Sequence, residues 1–579
     1  MVEIVSPVES HERLLGAVPA MRSACADWLQ PGMLDAALPP AHQLGEFLAD
    51  WALQALTFVR GYLQDAGCAR DPRTGQVLVW LGFHEPRLSL MALDLAARWL
   101  SSLAEGQATA QDWGAALDRL WRDCRQRHPD YQARIVMEAS RRRGVPYAPA
   151  WGMARFWRFG QGERSRVLFE TSSCADGYWG TQVASSKATT KTVLRSLGLP
   201  TPAFRLVTNG GELQEAVAAV GFPCVTKPLD RGGGKGVSTG LLNLAAVRDG
   251  FAAARAYTDG PVMVEAHAVG NDYRLMVVDG RLAAAIRREP PTVTGDGRRT
   301  IRELVIDRNA GRDARSLVRS GYLSPIQLDA SAQLHLTGLG LNPDTVLDYG
   351  RTIRVRSNSN RSTGAACVDV TTQTHPTIRV FAEALGRTLN VRMLGVDYLT
   401  TDIGQSAAAS GGQFIEINAT PGLAAMMAAG WSAEQAGDLA LGEAPARIPV
   451  QLLVVRYAVL TQALAAARAR VWTAGSGWAA WGQAADAGAE LSVDANVPWA
   501  GVRALLGHRT VASAVVVVSE RQIYQHGLPL DAFDVAHVTC NLTSEWGGVL
   551  QRCCQAVQHQ SYSPDDSLAW LEPLMDSLG

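Results

Sequence analysis

The sequence predicts an α+β protein, and three observations lead there. Runs suited to strands alternate with runs of helical spacing along the 579 residues, without internal repeats. A glycine-rich stretch, Arg231–Val237 (RGGGKGV), falls between two of the strand-like runs. The composition is that of an ordinary globular chain, long enough for about three or four domains at roughly 150 residues each.

Residues 1–165 read as an N-terminal α/β domain. Apolar residues three and four apart predict helices over Leu44–Ala66 and Ser89–Leu103, and Gln76–Gly82 (QVLVWLG) suits a strand. Tyr131–Gly144 is an amphipathic helix closed by three arginines and a glycine. From Ser185 the texture changes. SSKATTKTVLRSLG is a helix stopped at Gly198, and FPCVTKPLD is a strand leading into the glycine loop. PVMVEA, DYRLMVVDG, RLAAAIRRE, TIRVRS and QFIEINATPG follow as strands, with GVDYLT after a helix at Thr377–Leu389. Gln405–Gly412 (QSAAASGG) reads as a solvent loop. This makes residues 166–445 a large α+β catalytic domain. The remainder, 446–579, alternates helices with strand-like runs such as Val515–Val518 and Val535–Val538. Its Trp472, Trp478 and Trp481, near helical spacing, read as packing or interface residues.

Charge and cysteine usage narrow the function classes. Fifty-four Lys and Arg balance fifty-five Asp and Glu, so no global field attracts nucleic acid or an anionic membrane. Nine scattered cysteines show no CxxC spacing and read as reduced thiols. The N-terminus is acidic and lacks an apolar run, and no apolar stretch reaches the ~18 residues of a membrane span. A cytoplasmic homo-oligomer is expected, with no nucleic-acid or membrane partner.

The residues that carry chemistry lie in the middle third. Making an amide at neutral pH requires an activated carboxylate, and phosphorylation by ATP is the direct route. Such a site needs cations and backbone N–H groups on the triphosphate, carboxylates for Mg²⁺, and a cation over the phosphoryl group in flight. Lys187 begins a helix and Lys227 sits on a strand, so two separate elements can bring point charges to the phosphates. Gly233, Gly234, Lys235 and Gly236 supply a loop whose backbone can close over them. Asp397 lies on one strand, and Glu416 and Asn418 alternate on another, facing the same way. These are hard oxygen donors suited to Mg²⁺. Arg354, Arg356, Asn358 and Asn360 precede Ser362-Thr363-Gly364, where an arginine can meet the phosphoryl group and the loop a substrate carboxylate or the acyl-phosphate; a charged edge strand fits the same spacing. His128 and His375, beside prolines, read as turn residues rather than bases.

The order of these pieces resembles the ATP-grasp superfamily, and the cyanophycin synthetases in particular. HPDYQARIVMEASRRRGVP resembles the end of their N-terminal domain. SSKATTKTVLRSLGLPTP, VTKPLDRGGGKGV, RVRSNSNRSTGAACVDVT and GGQFIEINATPGL resemble their ATP-grasp domain. The resemblance implies that Lys187 and Lys227 bind ATP phosphates, Glu265 starts the adenine hinge, and Asp272 contacts the ribose. It places Arg288 and Arg356, with Asn358 or Asn360, around the phosphoryl group and the acceptor, and gives Mg²⁺ to Asp397, Glu416 and Asn418.

The C-terminal part departs from the pattern. Cyanophycin synthetases continue into a Mur-ligase-like domain opened by a P-loop close to GTNGKTT, whereas here the chain reads QLLVVRYAVLTQALAAARARVW. Val511–Leu542 still resembles the later strands of that domain. Residues 446–579 are therefore expected to be a truncated, degenerate Mur-ligase-like domain without catalysis. One remaining site is similar to the one-site relatives that polymerise β-aspartyl-arginine dipeptides on a peptide primer. A ligase making a small non-polymeric peptide, or a non-catalytic partner of a full-length synthetase, are the alternatives.

Overall fold

The computed structural model describes residues 2–4, 8–30, 32, 34–70, 76–107, 110–151, 153, 155–232, 235–312, 322–470 and 472–559. The chain divides into two compact units. One is built from residues 1–139, 149–156 and 168–440, the other from 140–148, 157–167 and 441–579.

In the first unit, helices Val8–Ala24, Pro40–Thr57, Pro86–Ala104 and Ala110–Arg127 accompany an antiparallel sheet of Val2–Ile4, Val77–Leu81 and Ala66–Arg70, in that order. Trp28 meets Trp51 edge-on at 5.3 Å and Trp121 at 5.7 Å, and Trp51 meets Trp99 at 5.9 Å. Such contacts add about 0.5–1.5 kcal/mol each beyond area burial. The helix predicted over Leu44–Ala66 ends at Thr57, and Ala66 opens a strand. Phe58 and Tyr62 are buried and prolong the apolar pattern, but Gly61 at φ +105° turns the chain and donates its N–H to Pro129.

Two sheets then frame a cleft. The four-stranded sheet runs Ser238–Leu241, Cys224–Pro228, Val262–Ala266, Phe204–Val207, all antiparallel. Cys224, Val264 and Val207 share a core with Leu213, Ala216, Val217 and Val247 from helices Leu213–Val220 and Leu244–Arg255. Alternation along the strands sends Val225, Lys227 and Glu265 to the opposite face.

The five-stranded sheet runs Ala366–Asp369, Arg281–Glu289, Asn271–Val278, Met393–Thr400, Gln413–Asn418. Tyr273, Leu275, Val277, Val396 and Tyr398 bury one face against Ile378, Ala382 and Leu385 of helix Pro376–Leu389. Each large apolar side chain buried there stabilises by about 1.5–3 kcal/mol. The same alternation leaves Asp272, Arg274, Arg288 and Asp397 on the other face. The register slips by one residue at Ile415, so Tyr398 faces Phe414 while Asp397 faces Glu416. Without that bulge, Phe414 and Glu416 could not serve core and cleft together.

A smaller cluster of Ile301, Leu304, Ile326, Leu336, Ile353 and Val355 supports the pair Thr292–Thr294 and Thr352–Arg354. Helix Ile301–Arg308 starts on a reciprocal capping pair, Thr300 and Glu303. The strand predicted as TIRVRS is only its first three residues. Gln405–Gly412 is not simply a solvent loop: Ser406 caps a one-turn helix, Ala407–Ser410, whose end residues are buried.

The second unit holds a seven-stranded sheet of order Ala489–Glu490, Ala484–Asp486, Ser476–Ala479, Ser513–Ser519, Val450–Val455, Phe533–Val538, Cys554–His559. The last five of these are mutually parallel. Parallel strands are covered on both faces and read as unbroken apolar runs. Val516 and Val518 enter one core with Leu452 and Val454, while Val515 and Val517 enter another with Leu453 and Val455. Trp472 and Trp478 are packing residues, as expected, but not through helical spacing. Trp478 lies in a strand at 1% exposure, and Trp472 follows helix Leu460–Ala469. Among the described residues, no helix is long and apolar enough to cross a membrane.

Candidate active site

The polar faces of the two sheets in the first unit line a cleft of about 890 Å³. Nine basic and five acidic side chains border it among the described residues, so its field favours an anion.

One wall is a charged row across the five-stranded sheet. Arg288 stands opposite Asp272, Arg274 opposite Asp397, and Asp397 opposite Glu416. Arg288 reaches Asp272 at 2.5 Å and Asp397 at 3.2 Å, and Arg274 reaches Asp397 at 2.6 Å. Burial pushes Asp397 toward its neutral form, but Arg274 and Arg288 outweigh it and hold the group below the usual carboxylate range. Burial raises Asp272 above that range, and Arg288 offsets only part of the effect. Arg288, disfavoured as a buried cation, has its charge more than restored by Asp397 and Asp272. Asn418 extends the row two residues beyond Glu416 and lines the cleft with it.

The lysines come from separate elements, Lys227 from the four-stranded sheet and Lys187 from a helix whose Leu194 shares the core of the five-stranded sheet. Ser186 caps helix Lys187–Ser196 through the Thr189 N–H, which fixes where Lys187 starts. The Lys187 ammonium donates to the carbonyls of Arg231 at 2.9 Å and Leu229 at 3.4 Å, and stands 3.6 Å from Glu416. Lys227 donates to Glu265 at 2.6 Å. Burial disfavours the Glu265 carboxylate, yet Lys227 and Lys191 together lower its pKa.

Of the other residues singled out from sequence, Glu265, Asp272, Asn358 and Ser362 line the same cleft. Arg356 does not. It is 3% exposed, donating to the Gln327 carbonyl at 3.0 Å and to Asp329 at 2.6 Å. Arg354 and Arg361, two residues before it and five after, line the cleft instead. Lys235 is exposed and Gly236 sits at φ +69° against Tyr257; neither borders the cleft, whereas Gly232 does. Gly233 and Gly234 lie outside the described residues. His375 caps helix Pro376–Leu389 through Nδ1, and His128 is buried beside the Leu56 carbonyl.

No family model matches the chain. Cyanophycin synthetase of Trichormus variabilis is 32% identical over 308 residues, 53% of this chain and 33% of that protein. Cyanophycin synthetase of Synechocystis is 31% identical over 290 residues, 50% of this chain and 33% of that one. Over about half of its length the chain is similar to cyanophycin synthetases. A glutathione biosynthesis bifunctional protein of Streptococcus thermophilus is also 32% identical, over 263 residues, covering 43% of this chain and 33% of the relative. A bifunctional glutathione synthetase structure from Pasteurella multocida aligns over 59% of this chain and 49% of its own, at 23% identity and TM-score 0.39. The chain spans about a third of the length of the curated relatives it matches.

The sequence reading passed over Arg274, which lines the cleft, and Lys191, which is buried beside Glu265 and does not border it. Arg274 is two residues from Asp272 on one strand, and Lys191 is four from Lys187 on one helix, so each spacing placed the pair on a common face. Tyr131 reaches the cleft from the start of helix Tyr131–Arg142, with its phenol pushed up to about 12 by burial. Arg308 and Arg312 come from the small subdomain, and nothing in their local sequence marks them.

Proposed function

We propose that this cleft, in a ligase domain spanning residues 166–445, joins a carboxylate to an amine at the expense of ATP. The observation that carries the reading is that two separately anchored lysines, Lys187 and Lys227, line one cleft with the paired carboxylates Asp397 and Glu416. In the proposal Lys187 and Lys227 hold the nucleotide phosphates, with Gly232 beside them, and Glu265 and Asp272 contact the adenosine end. Asp397, Glu416 and Asn418 fit Mg²⁺: all three present hard oxygens on neighbouring strands of one polar face. When bound, that ion would neutralise charge on the nucleotide phosphates.

Arg288 sits where it can stabilise the phosphoryl group in flight, with its charge secured by Asp272 and Asp397. A donor carboxylate oxygen attacks the terminal phosphorus, the bond from that phosphorus to its bridging oxygen breaks, and ADP leaves. The acceptor amine then attacks the acyl carbon, phosphate departs, and the amine proton passes to a phosphate oxygen. Asn358 and Ser362, with Arg354 and Arg361, place the growing chain. Arg356 anchors their loop through Gln327 and Asp329 rather than touching the phosphoryl group. The substrates proposed are β-aspartyl-arginine dipeptides added to a peptide primer, with residues 446–579 a non-catalytic Mur-ligase-like domain.

Incubation with ATP, Mg²⁺ and a panel of amino acids, dipeptides and primers, followed by mass analysis, tests this. The expected product is a primer lengthened by whole dipeptides, with stoichiometric ADP and phosphate. A single small amide would move the assignment to a non-polymerising ligase. ATP left intact with every pair would overturn it.

A further inference from the structure

The ligase reading leaves the buried Lys191 without a role. Lys191 lies one turn beyond Lys187, has no solvent exposure and does not border the cleft. Its ammonium stands 2.9 Å from one oxygen of Glu265, while Lys227 takes the other at 2.6 Å. The Lys191 side also donates to the Thr201 hydroxyl at 3.2 Å, and that hydroxyl donates to the Phe414 carbonyl at 2.7 Å. The Glu265 oxygen facing Lys191 meets no donor in hydrogen-bond alignment, so this contact is one of charge. Two ammoniums thus share one carboxylate, each side chain no more than 8% exposed.

From this arrangement we infer that Lys191 is a positioning residue: it holds Glu265 as a carboxylate from behind, so that Lys227 can turn to the phosphates of an incoming nucleotide. The inference rests on the ligase reading and extends it. A buried carboxylate stripped of its only counter-ion is strongly disfavoured, so with Lys227 alone the pair would lock together. With Lys191 in place Glu265 stays paired when Lys227 leaves, and the excess positive charge of the triad is directed at the cleft. Burial pulls the Lys191 pKa down to about 8, with Glu265 opposing and Lys227 adding to the shift, as a crowded cation in a dry site requires. Thr201 and its bond to strand Gln413–Asn418 fix the ammonium, so it cannot follow Lys227.

Calorimetric titration of the full chain with Mg-ADP tests the inference, using Lys191→Met, Lys191→Arg, Glu265→Gln, the Lys191→Met/Glu265→Gln double variant and Lys227→Ala. Lys191→Met is expected to weaken binding roughly tenfold or more, the size of coupling found in buried charge networks. Lys191→Arg should restore it to within about threefold, and in the Glu265→Gln background Lys191→Met should add less than about threefold. Unchanged affinity in Lys191→Met, or an equal loss in both backgrounds, would overturn the inference. If Lys191→Met alone does not fold, the double variant compared with Glu265→Gln decides: a further tenfold loss there overturns it. Loss of binding in Lys227→Ala with none in Lys191→Met would spare the ligase reading, whereas no binding by the unaltered protein would end both.

Discussion

The five-stranded sheet of the first unit and the parallel sheet of the second solve the same burial problem in ways that leave different room for chemistry. In the antiparallel sheet one face carries Tyr273, Leu275, Val277 and Val396, and the other carries Asp272, Arg274 and Asp397. Core and charged wall are the same strands read at odd and even positions. In the parallel sheet, Val515–Val518 bury both faces, so only the strand ends can present polar groups. After the central strand Val450–Val455 the chain reads Arg456-Tyr457, without a glycine to cradle a phosphate. Chemistry can therefore be spread along the first sheet but would have to sit on loops in the second.

Substitutions sharpen or break this contrast. Trp478→Ala removes a side chain 1% exposed from the second unit and should lower stability by about 3–5 kcal/mol, read by denaturant unfolding. Nucleotide affinity should not change, and a parallel loss of affinity would undo the division of labour. Lys227→Ala should lower ATP turnover by roughly a hundred- to a thousandfold while the protein stays folded by circular dichroism. Full turnover would mean that the catalytic wall lies elsewhere. Glu416→Gln keeps shape but halves the charge of the Asp397–Glu416 pair; the Mg²⁺ concentration for half-maximal turnover should rise about tenfold. Tyr457→Ala, at an exposed ring under Arg521, should change stability by no more than about 1 kcal/mol and leave turnover as it was. A marked drop in turnover would give the second unit a catalytic part.

The strands of the cleft were legible in the sequence because most of them alternate with a period of two and their ends carry charged or amide residues. LGVDYLT and QFIEIN gave Asp397, Glu416 and Asn418, which line one wall, although the bulge that aligns Glu416 with Asp397 left no local mark. Lys191 and Arg274 were written in the spacing and passed over, since an i+4 lysine and an i+2 arginine fit a solvated face equally well. Arg356 went the other way. Its strand ends at Arg354, so the arginine turns inward to Asp329, a tertiary partner twenty-seven residues upstream. The overlong first helix failed for a similar reason, because Phe58 and Tyr62 pack into a core without being helical.

Because the central claim is an acyl-phosphate route, the most direct measurement is isotope transfer from substrate to phosphate. A primer with ¹⁸O in its C-terminal carboxylate, supplied with ATP, Mg²⁺ and dipeptide, should yield inorganic phosphate carrying one ¹⁸O for each amide formed. Amide formation that leaves all the phosphate unlabelled would contradict the account.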